Sequence, residues 1–384
     1  MLPSQSETGK NADLVRVMIV DDSAVVRGLI TRMLEAEAGI QVVSSVSNGQ
    51  MAISALTRTD VDVILLDIEM PVMDGISAIS KLLEVDPGVR IIMSSTLTLK
   101  GAGVTMQAMQ LGAADYVPKP SAARDISGGV DFRTDLIAKI KAWGAARRRN
   151  PRKGAPPSSA RPLPPPVPAG TTRSASARGH GGPVVLRPMP PDRPDVIAIG
   201  SSTGGPQALF AVLGQIKPGT LQQPILITQH MPATFTAILG EHISRVSGWE
   251  AAEARDGEPL RSGRIYIAPG DFHMIVEAHG TEKVIRTNKN PPENFCRPAV
   301  DPMLRSLAAV YGRRVLAVIL TGMGADGLKG GQALVAAGGA LIAQDEASSV
   351  VWGMPGAVAT AGICSAVLPL SGIADFIIKT ATRR

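Results

Sequence analysis

The sequence predicts an α/β protein in which a flexible linker joins an N-terminal doubly wound domain to a C-terminal α/β domain with a mostly parallel sheet. Apolar strand-like runs alternate with segments of helical periodicity in two separate parts of the 384-residue chain. A stretch rich in proline and arginine lies between them. The length also favours two domains, because domains of about 100–200 residues are usual. Aromatic residues make up only 3% of the chain, so both cores must rest on aliphatic side chains.

Five strand–helix units are expected between residues 14 and 145, after a polar leader at 1–13 that we expect to be disordered. Ser23 is placed to cap the first helix, which carries an apolar stripe. The stripe consists of Val26, Leu29, Ile30, Met33 and Leu34. The predicted strands are 15–20, 41–46, 61–66, 90–93 and 115–117, and the later helices are 50–56, 76–83, 104–111 and 132–143. This alternation predicts a five-stranded parallel sheet with short loops.

Residues 146–194 are predicted to form a flexible linker. Eight of the twenty residues from Pro151 to Gly170 are proline. Between Gly144 and Pro194 there are ten lysine and arginine residues and one aspartate, so this segment has a net charge of +9. Because the whole chain has a net charge of +6, the rest of the chain sums to −3. A solvated, self-repelling spacer is the simplest interpretation, and a docking segment for an acidic surface is the alternative.

Residues 195–384 are predicted to form the second domain, a mostly parallel sheet with an antiparallel edge. The expected strands are 195–200, 224–230, 264–269, 273–277, 284–286, 314–320 and 340–343. The expected helices are 207–213, 235–247 and 300–311, and a further helix ends at residue 337. The three short strands at 264–269, 273–277 and 284–286 have turn signals between them and are candidates for the antiparallel edge.

Acidic side chains gather at one edge of the first predicted sheet. Asp21 and Asp22 follow the first strand and Asp67 ends the third. Three carboxylates at one edge need a cation, and oxygen ligands of this kind suit Mg²⁺. Ser94 ends the fourth strand, and Lys119 follows the fifth, where it could contact a phosphate. Any single aspartate at a strand end is more often a helix cap, but the whole set favours a phosphate and metal site.

These residues resemble the receiver domain of bacterial response regulators. The motifs are Val20-Asp-Asp-Ser23, Leu66-Asp-Ile-Glu-Met-Pro-Val-Met-Asp-Gly75, Ser94-Ser95 and Lys119-Pro120. The resemblance implies that Asp67 accepts a phosphoryl group from a histidine kinase and holds Mg²⁺ together with Asp21 and Asp22. It further implies that Ser94 and Lys119 contact the phosphoryl oxygens, and that Tyr116 is an aromatic switch residue.

A glycine-rich turn in the second domain has two interpretations. Gly200-Ser-Ser-Thr-Gly204 fits G-x-S-x-G, in which a sharp turn between strand and helix exposes a nucleophilic serine. A turn of this kind also holds phosphates in dinucleotide-binding domains. The local pattern alone favours neither.

Ser202, His230 and Asp326 each follow an apolar strand-like run, so a parallel sheet brings them to one edge. A neutral imidazole takes a serine proton, and a carboxylate fixes the imidazole tautomer. A lone histidine at a strand end is more often structural, but the three together favour a serine hydrolase.

The second domain resembles the protein-glutamate methylesterase of bacterial chemotaxis, the CheB family. The motifs are Ile199-Gly-Ser-Ser-Thr-Gly-Gly205, Ile227-Thr-Gln-His-Met-Pro232, Ile267-Ala-Pro-Gly270, Arg297-Pro-Ala-Val-Asp301, Leu320-Thr-Gly-Met-Gly-Ala-Asp-Gly327 and Ser349-Val-Val-Trp-Gly-Met-Pro355. The resemblance implies that Ser202 is the nucleophile, His230 the general base and Asp326 its partner. Thr203 and Met323 would support the loop and the oxyanion, and no cofactor is expected in the esterase site.

The resemblance also implies an activity and its control. The expected reaction removes methyl esters from glutamyl side chains of methyl-accepting chemoreceptors, with release of methanol, and deamidates selected receptor glutamines. The receiver would cover the catalytic face until a chemotaxis histidine kinase phosphorylates Asp67. The two cysteines, the polar start of the chain and the lack of a long apolar run predict a cytoplasmic protein without membrane insertion, and we expect a monomer.

Two other output domains would also fit a receiver. A DNA-binding output would use the basic linker on phosphate, but the second domain shows no helix-turn-helix pattern. A dinucleotide-binding output would need G-x-G-x-x-G and a ribose-binding acid, which the sequence lacks. We therefore expect no nucleic-acid partner.

Overall fold

The computed structural model describes residues 14–96, 98–119, 130–149 and 184–383. The expected leader at 1–13 and residues 150–183 of the expected linker lie outside these ranges. Within the described part of the chain, no helix combines the length and the apolar character that a membrane span requires.

The first domain is a parallel five-stranded sheet between two layers of helices, as predicted. Its elements are β1 (Val15–Val20), α1 (Ala24–Glu35), β2 (Ile40–Val46), α2 (Gly49–Leu56), β3 (Val63–Asp67), α3 (Gly75–Val85), β4 (Arg90–Ser95), α4 (Leu99–Gln110), β5 (Asp115–Pro118) and α5 (Val130–Arg149). The strand order is β2-β1-β3-β4-β5. Helices α1 and α5 pack on one face, and α2, α3 and α4 pack on the other. Ser23 caps α1, since its hydroxyl accepts a hydrogen bond from Val26 N.

Two helices of this domain are longer than their apolar periodicity predicts. Helix α4 begins at Leu99 and not at residue 104, because the Thr98 hydroxyl caps it by accepting a hydrogen bond from Gly101 N at 3.0 Å. Helix α5 continues to Arg149, past the boundary expected at residue 145. Near the end of this helix, Arg147 Nη2 lies 2.6 Å from Asp86 Oδ2. That ion pair holds the end of α5 against the domain.

The second domain has a seven-stranded parallel sheet and a separate antiparallel hairpin. Its elements are β6 (Val196–Ser201), α6 (Gly205–Leu213), β7 (Ile225–Gln229), α7 (Ala233–Ser247), β8 (Glu250–Glu253), β9 (Arg264–Ile267), β10 (His273–His279), β11 (Glu282–Asn288), α8 (Val300–Tyr311), β12 (Val315–Ile319), α9 (Leu328–Ala336), β13 (Ala340–Gln344), α10 (Met354–Thr360), β14 (Ala366–Leu368) and α11 (Leu370–Ala381). The sheet order is β14-β13-β12-β6-β7-β9-β8.

The predicted fold class is confirmed, with one change in strand pairing. Strands β10 and β11 pair antiparallel, as expected. Strand β9 belongs instead to the main sheet, where it pairs in parallel with β7 and β8. The difference arises because β9 is buried and apolar and β8 offers it a second neighbour. Strand β8 was not predicted, because its pattern Glu-Ala-Ala-Glu carries little strand signal.

The strands that precede the expected catalytic residues are neighbours in the sheet. Strand β6 lies between β12 and β7, and all residues of these three strands are buried. Strands buried on both faces read as continuous apolar runs, which is why the sequence reveals them clearly. Because the three are parallel, the loops after them meet at one edge of the sheet.

The two domains are in contact through apolar and polar groups. The ring of Tyr116 at β5 stacks on Phe235 of α7, with centroids 4.5 Å apart and planes 12° from parallel. Helix α4 packs against α7, and Gln207 Nε2 donates a hydrogen bond to the carbonyl of Ala113. At the end of α5, Arg149 Nη2 donates to the carbonyls of Ser349 and Val350, each at 2.9 Å.

We expect replacement of Arg147 by alanine to destabilise the first domain by about 3 kcal/mol, because it removes a cation that is paired with a buried carboxylate. The Asp86 side chain is 0% exposed and the Arg147 side chain only 10%. Chemical denaturation of the full chain measures the change. Arg58→Ala, at an exposed position on the same domain, is the matched control. Equal stability of Arg147→Ala and the control would contradict the assignment.

Candidate active site and receiver phosphate site

Ser202 lies in a tight loop between β6 and α6. Its backbone N–H donates to the carbonyl of Thr321 at 3.0 Å, which ties the loop to the one after β12. Gly204 has a φ of +75°, a region that favours glycine. A Cβ on Gly205 would lie 2.0 Å from Gln229 Oε1. The glycines therefore permit the sharp turn that leads from the serine into α6.

Gln229 joins the serine loop to the histidine. Its Nε2 donates to the carbonyl of Ser202 at 3.0 Å and to that of His230 at 3.1 Å, and its Oε1 accepts a hydrogen bond from the Ser201 hydroxyl at 2.7 Å. Gln229 was not among the predicted site residues. Its only signal was a polar residue at the end of an apolar strand, next to His230.

His230 and Asp326 form a close pair. His230 Nε2 lies 2.7 Å from Asp326 Oδ2, and the Asp326 side chain is 1% exposed. Asp326 Oδ2 also accepts a hydrogen bond from Val300 N at 2.6 Å. The prediction that these two side chains come together from distant parts of the sequence agrees with this geometry.

The second oxygen of Asp326 accepts three further hydrogen bonds. The donors are Asp301 N at 3.0 Å, Gly327 N at 2.9 Å and Asn294 Nδ2 at 2.9 Å. Asn294 Nδ2 also donates to Asp301 Oδ2 at 3.0 Å, so one amide links two buried carboxylates. Nothing in the sequence indicated Asn294, because it comes from an irregular segment before α8.

The close contacts of Asp326 shift the pKa values of both partners. Burial lowers the pKa of His230, but the hydrogen bonds with Asp326 and Cys296 outweigh burial and raise it to about 9. Burial would raise the pKa of Asp326, whereas His230 and the backbone N–H groups of Val300 and Asp301 bring it below its usual value. Both shifts favour the charged forms, a carboxylate beside an imidazolium.

Ser202 reaches the same edge but makes no hydrogen bond with His230. Among the residues that the structure describes, none hydrogen-bonds to Ser202 Oγ. The ring atom His230 Nδ1 instead lies 3.3 Å from Cys296 Sγ. No sequence pattern connects Cys296 with His230.

Thr203 and Met323 lie on the two loops beside Ser202. The carbonyl of Thr203 accepts a hydrogen bond from the Thr321 hydroxyl at 3.0 Å. Met323 is half-buried on the turn that leads from Thr321 to Asp326. Within the described part of the chain, neither backbone N–H of these two residues is engaged in a hydrogen bond.

The receiver residues also meet at one sheet edge. Asp67 Oδ1 lies 2.7 Å from Lys119 Nζ, and Asp21 Oδ2 lies 3.1 Å from the same nitrogen. Ser94 is paired with Asp67 across β3 and β4 and is buried. Burial is the main cause that raises the pKa of Asp67, and the neighbouring Asp21 adds to it against the influence of Lys119.

Asp21, Asp22 and Asp67 have the geometry of a cation site. Their carboxylate oxygens all lie within 4.8 Å of one another. Asp21 Oδ2 is buried and accepts no hydrogen bond, despite its proximity to Lys119. Three carboxylates, one of which has a buried oxygen that accepts no hydrogen bond, suit a hard cation such as Mg²⁺. The residues present therefore fit the metal that the sequence predicted.

Comparison with known proteins identifies both domains. The model of the CheB methylesterase family matches residues 197–377, and that of the response regulator receiver domain matches residues 17–130. A protein of Paramagnetospirillum magneticum named protein-glutamate methylesterase/protein-glutamine glutaminase 1 is 68% identical over 376 residues, which cover 97% of each chain. The chain belongs to the CheB methylesterase family.

Other members of the CheB methylesterase family are similar along their whole length. A protein of Azospirillum brasilense with the name protein-glutamate methylesterase/protein-glutamine glutaminase is 59% identical over 392 residues, covering 99% of this chain and 96% of its own. The crystal structure of the Thermotoga maritima CheB methylesterase catalytic domain is 39% identical, covers 49% of this chain and 99% of its own, and has a TM-score of 0.47. The match to the CheB methylesterase family covers residues 197–377, the part of the chain that would have to form a DNA-binding or dinucleotide-binding output domain. Both of these alternatives are therefore set aside.

We expect the pKa of His230 to be about 9 in the full chain and to fall in Asp326→Asn, which removes the carboxylate charge but keeps the side-chain shape. Nuclear magnetic resonance of histidine-labelled protein measures the titration. Burial is the main cause that lowers the pKa of His242, and this residue is the internal control that should titrate alike in both proteins. An unchanged His230 titration in Asp326→Asn would contradict the assigned pairing.

Proposed function

We propose that this chain is a phosphorylation-controlled serine hydrolase that removes methyl esters from glutamyl side chains of chemoreceptors and deamidates selected receptor glutamines. The observation that carries the proposal is the buried His230–Asp326 pair beside the Ser202 loop, in a chain 68% identical to a protein-glutamate methylesterase/protein-glutamine glutaminase. The substrate class comes from the names of these relatives.

In the proposed reaction Ser202 Oγ attacks the ester carbonyl and gives its proton to His230. Because Nε2 of the ring is held by Asp326, Nδ1 is the nitrogen that receives this proton. The protonated ring then donates to the methoxy oxygen, and methanol leaves an acyl-enzyme. Water, activated by the same nitrogen, attacks the acyl group and restores the serine together with a free glutamate. Glutamine would follow the same path with ammonia as the leaving group.

Two backbone N–H groups, of Thr203 and Met323, are proposed to stabilise the oxyanion. Each belongs to a loop fixed by hydrogen bonds around Thr321. Removal of one oxyanion donor typically lowers the rate by about 10²–10³. No cofactor takes part in this proposed mechanism.

Control is assigned to Asp67 of the receiver. We propose that a histidine kinase donates the phosphoryl group, with Mg²⁺ held by Asp21, Asp22 and Asp67; the metal would neutralise charge during the transfer. Lys119 already contacts Asp67 and would bind the new phosphate, which Ser94 would also contact.

Tyr116 offers a route from the receiver to the esterase domain. Its ring is buried against Phe235 of α7. Movement of Ser94 toward a phosphate on Asp67 would alter the packing of β4 and β5, and with it this stack. Loss of the stack would weaken the contact between the domains, which is the expected activation step.

Ser202→Ala should reduce methanol release from methylated receptor membranes about a thousandfold or more, because no other group supplies the nucleophile. The fold should persist, as judged by its melting temperature. Ser371→Ala, an exposed serine on α11, is the matched control and should keep full activity. Retention of most activity in Ser202→Ala would disprove the nucleophile assignment.

Asp67→Asn should keep the basal rate of methanol release and lose its increase on addition of acetyl phosphate and Mg²⁺, because the amide cannot accept a phosphoryl group. Asp375→Asn, at an exposed position on α11, should respond to the phosphodonor as the unmodified chain does. Activation that survives in Asp67→Asn would place the control elsewhere.

A further inference from the structure

A two-residue turn before α8 brings a thiol to the ring of His230. Glu293 and Cys296 exchange two backbone hydrogen bonds, at 3.1 and 2.9 Å, and Asn294 and Phe295 between them have φ values of +51° and +62°. Arg305 of α8 anchors the turn by pairing with Glu293. We call residues 293–296 the clamp turn.

The clamp turn touches both members of the His–Asp pair. Asn294 Nδ2 donates to Asp326 Oδ1 at 2.9 Å, and Cys296 Sγ lies 3.3 Å from His230 Nδ1. Cys296 carries a free thiol and is half-buried. The proposed mechanism uses the carboxylate contact, but it gives the thiol no role.

The position of the thiol matters because a neutral imidazole has one lone pair. His230 Nε2 is committed to Asp326, so the lone pair lies on Nδ1, where the proton of Ser202 must arrive. In the structure the sulfur atom of Cys296 lies against that nitrogen, at 3.3 Å. Within the described residues, Ser202 Oγ has no hydrogen-bond partner.

We propose that Cys296 is a positioning residue that caps Nδ1 of His230 in the resting enzyme and competes with Ser202 for that nitrogen. The proposal rests on the proposed function, since it concerns the base of the same site. The thiol is a weak hydrogen-bond partner, so a serine hydroxyl can displace it during turnover.

Orientation of the ring is already provided by other groups. Asp326 holds Nε2 at 2.7 Å and is itself fixed by three backbone N–H groups and Asn294. Removal of the thiol therefore leaves the ring in place and frees its lone pair. Competition predicts a faster enzyme, whereas a supporting role for the thiol predicts a slower one.

The ionisable groups around His230 also affect how readily its ring accepts a proton. Asp326 and Cys296 are the titratable groups that face the ring, and both raise its pKa. Asp301 and Arg305 lie further out and interact with Asp326. Only the neutral ring accepts a proton, so activity rises with pH through the pKa of His230. Sγ accepts a hydrogen bond from Nδ1–H of the protonated ring, so loss of the thiol lowers that pKa and moves the rise in activity to lower pH.

The test measures methanol release by the full, unphosphorylated chain between pH 6 and 10. Cys296→Ala should raise kcat at pH 7 by about threefold to tenfold, the equivalent of one neutral hydrogen bond, and shift the acidic limb to lower pH. Cys296→Ser keeps a hydrogen-bonding group at Nδ1, so its rate should be no higher than that of the unmodified chain. Cys364→Ala removes the other thiol, which is buried away from the pair, and should leave the profile unchanged.

Equal loss of activity in Cys296→Ala and Cys296→Ser, with no shift of the limb, would overturn the proposal, and so would an unchanged rate in Cys296→Ala. A second measurement separates this outcome from failure of the proposed function. If the unmodified chain releases no methanol, nitrogen chemical shifts of His230 still show whether its proton sits on Nε2 and whether Cys296→Ala lowers its pKa. An unchanged titration there would also overturn the proposal.

Discussion

The carboxylate of Asp326 is the fixed point on which the esterase site depends. Three backbone N–H groups, the amide of Asn294 and the ring of His230 all donate to it. A buried carboxylate is costly unless it is fully hydrogen-bonded. By meeting that requirement, the chain locks together the turn after β12, the start of α8 and the end of β7. Gln229 then extends the same rigid unit to the Ser202 loop.

Both domains place their reactive groups according to one geometric rule. Carboxyl ends of parallel strands gather side chains from distant positions, as with Asp21 and Asp67 in the receiver and His230 and Asp326 in the esterase domain. The two sites differ in what balances their negative charge. In the receiver Lys119 lies against the carboxylates, which also fit a Mg²⁺ ion, while in the esterase site the His230 ring and backbone N–H groups contact Asp326.

The contact between the domains connects the receiver site with the esterase site. Tyr116 of the receiver packs on Phe235, only a few residues after His230 in the sequence. Arg149 at the end of α5 holds the carbonyls of Ser349 and Val350. Val350 in turn fills the space beside Gly204, where a Cβ would lie 2.6 Å from its methyl group. A short series of packed groups therefore connects the receiver to the serine loop.

Much of this architecture could be predicted from the sequence, because strands buried on both faces are long apolar runs that end in polar residues. The three strands before Ser202, His230 and Asp326 are of this kind. Strand β8 and the pairing of β9 could not be predicted, since short strands carry little periodicity and their neighbours are set by tertiary packing.

The contacts of Asn294 and Cys296 also could not be predicted from the sequence. They depend on the positive φ values of the clamp turn and on its approach from a distant part of the chain. No spacing in the sequence encodes such an approach. Arg147 shows the same limit in the receiver, since a run of three arginines indicated a solvated linker and the structure pairs one of them with the buried Asp86.

The most direct test of this account is the time course of methanol release from methylated receptor membranes, by the full chain, with and without Mg²⁺ and acetyl phosphate. The account predicts a slow basal release that rises when both are present, because Asp67 and the esterase site are coupled through the domain contact. Release that is the same under both conditions would contradict the coupling, and the absence of any release would contradict the proposed esterase activity itself.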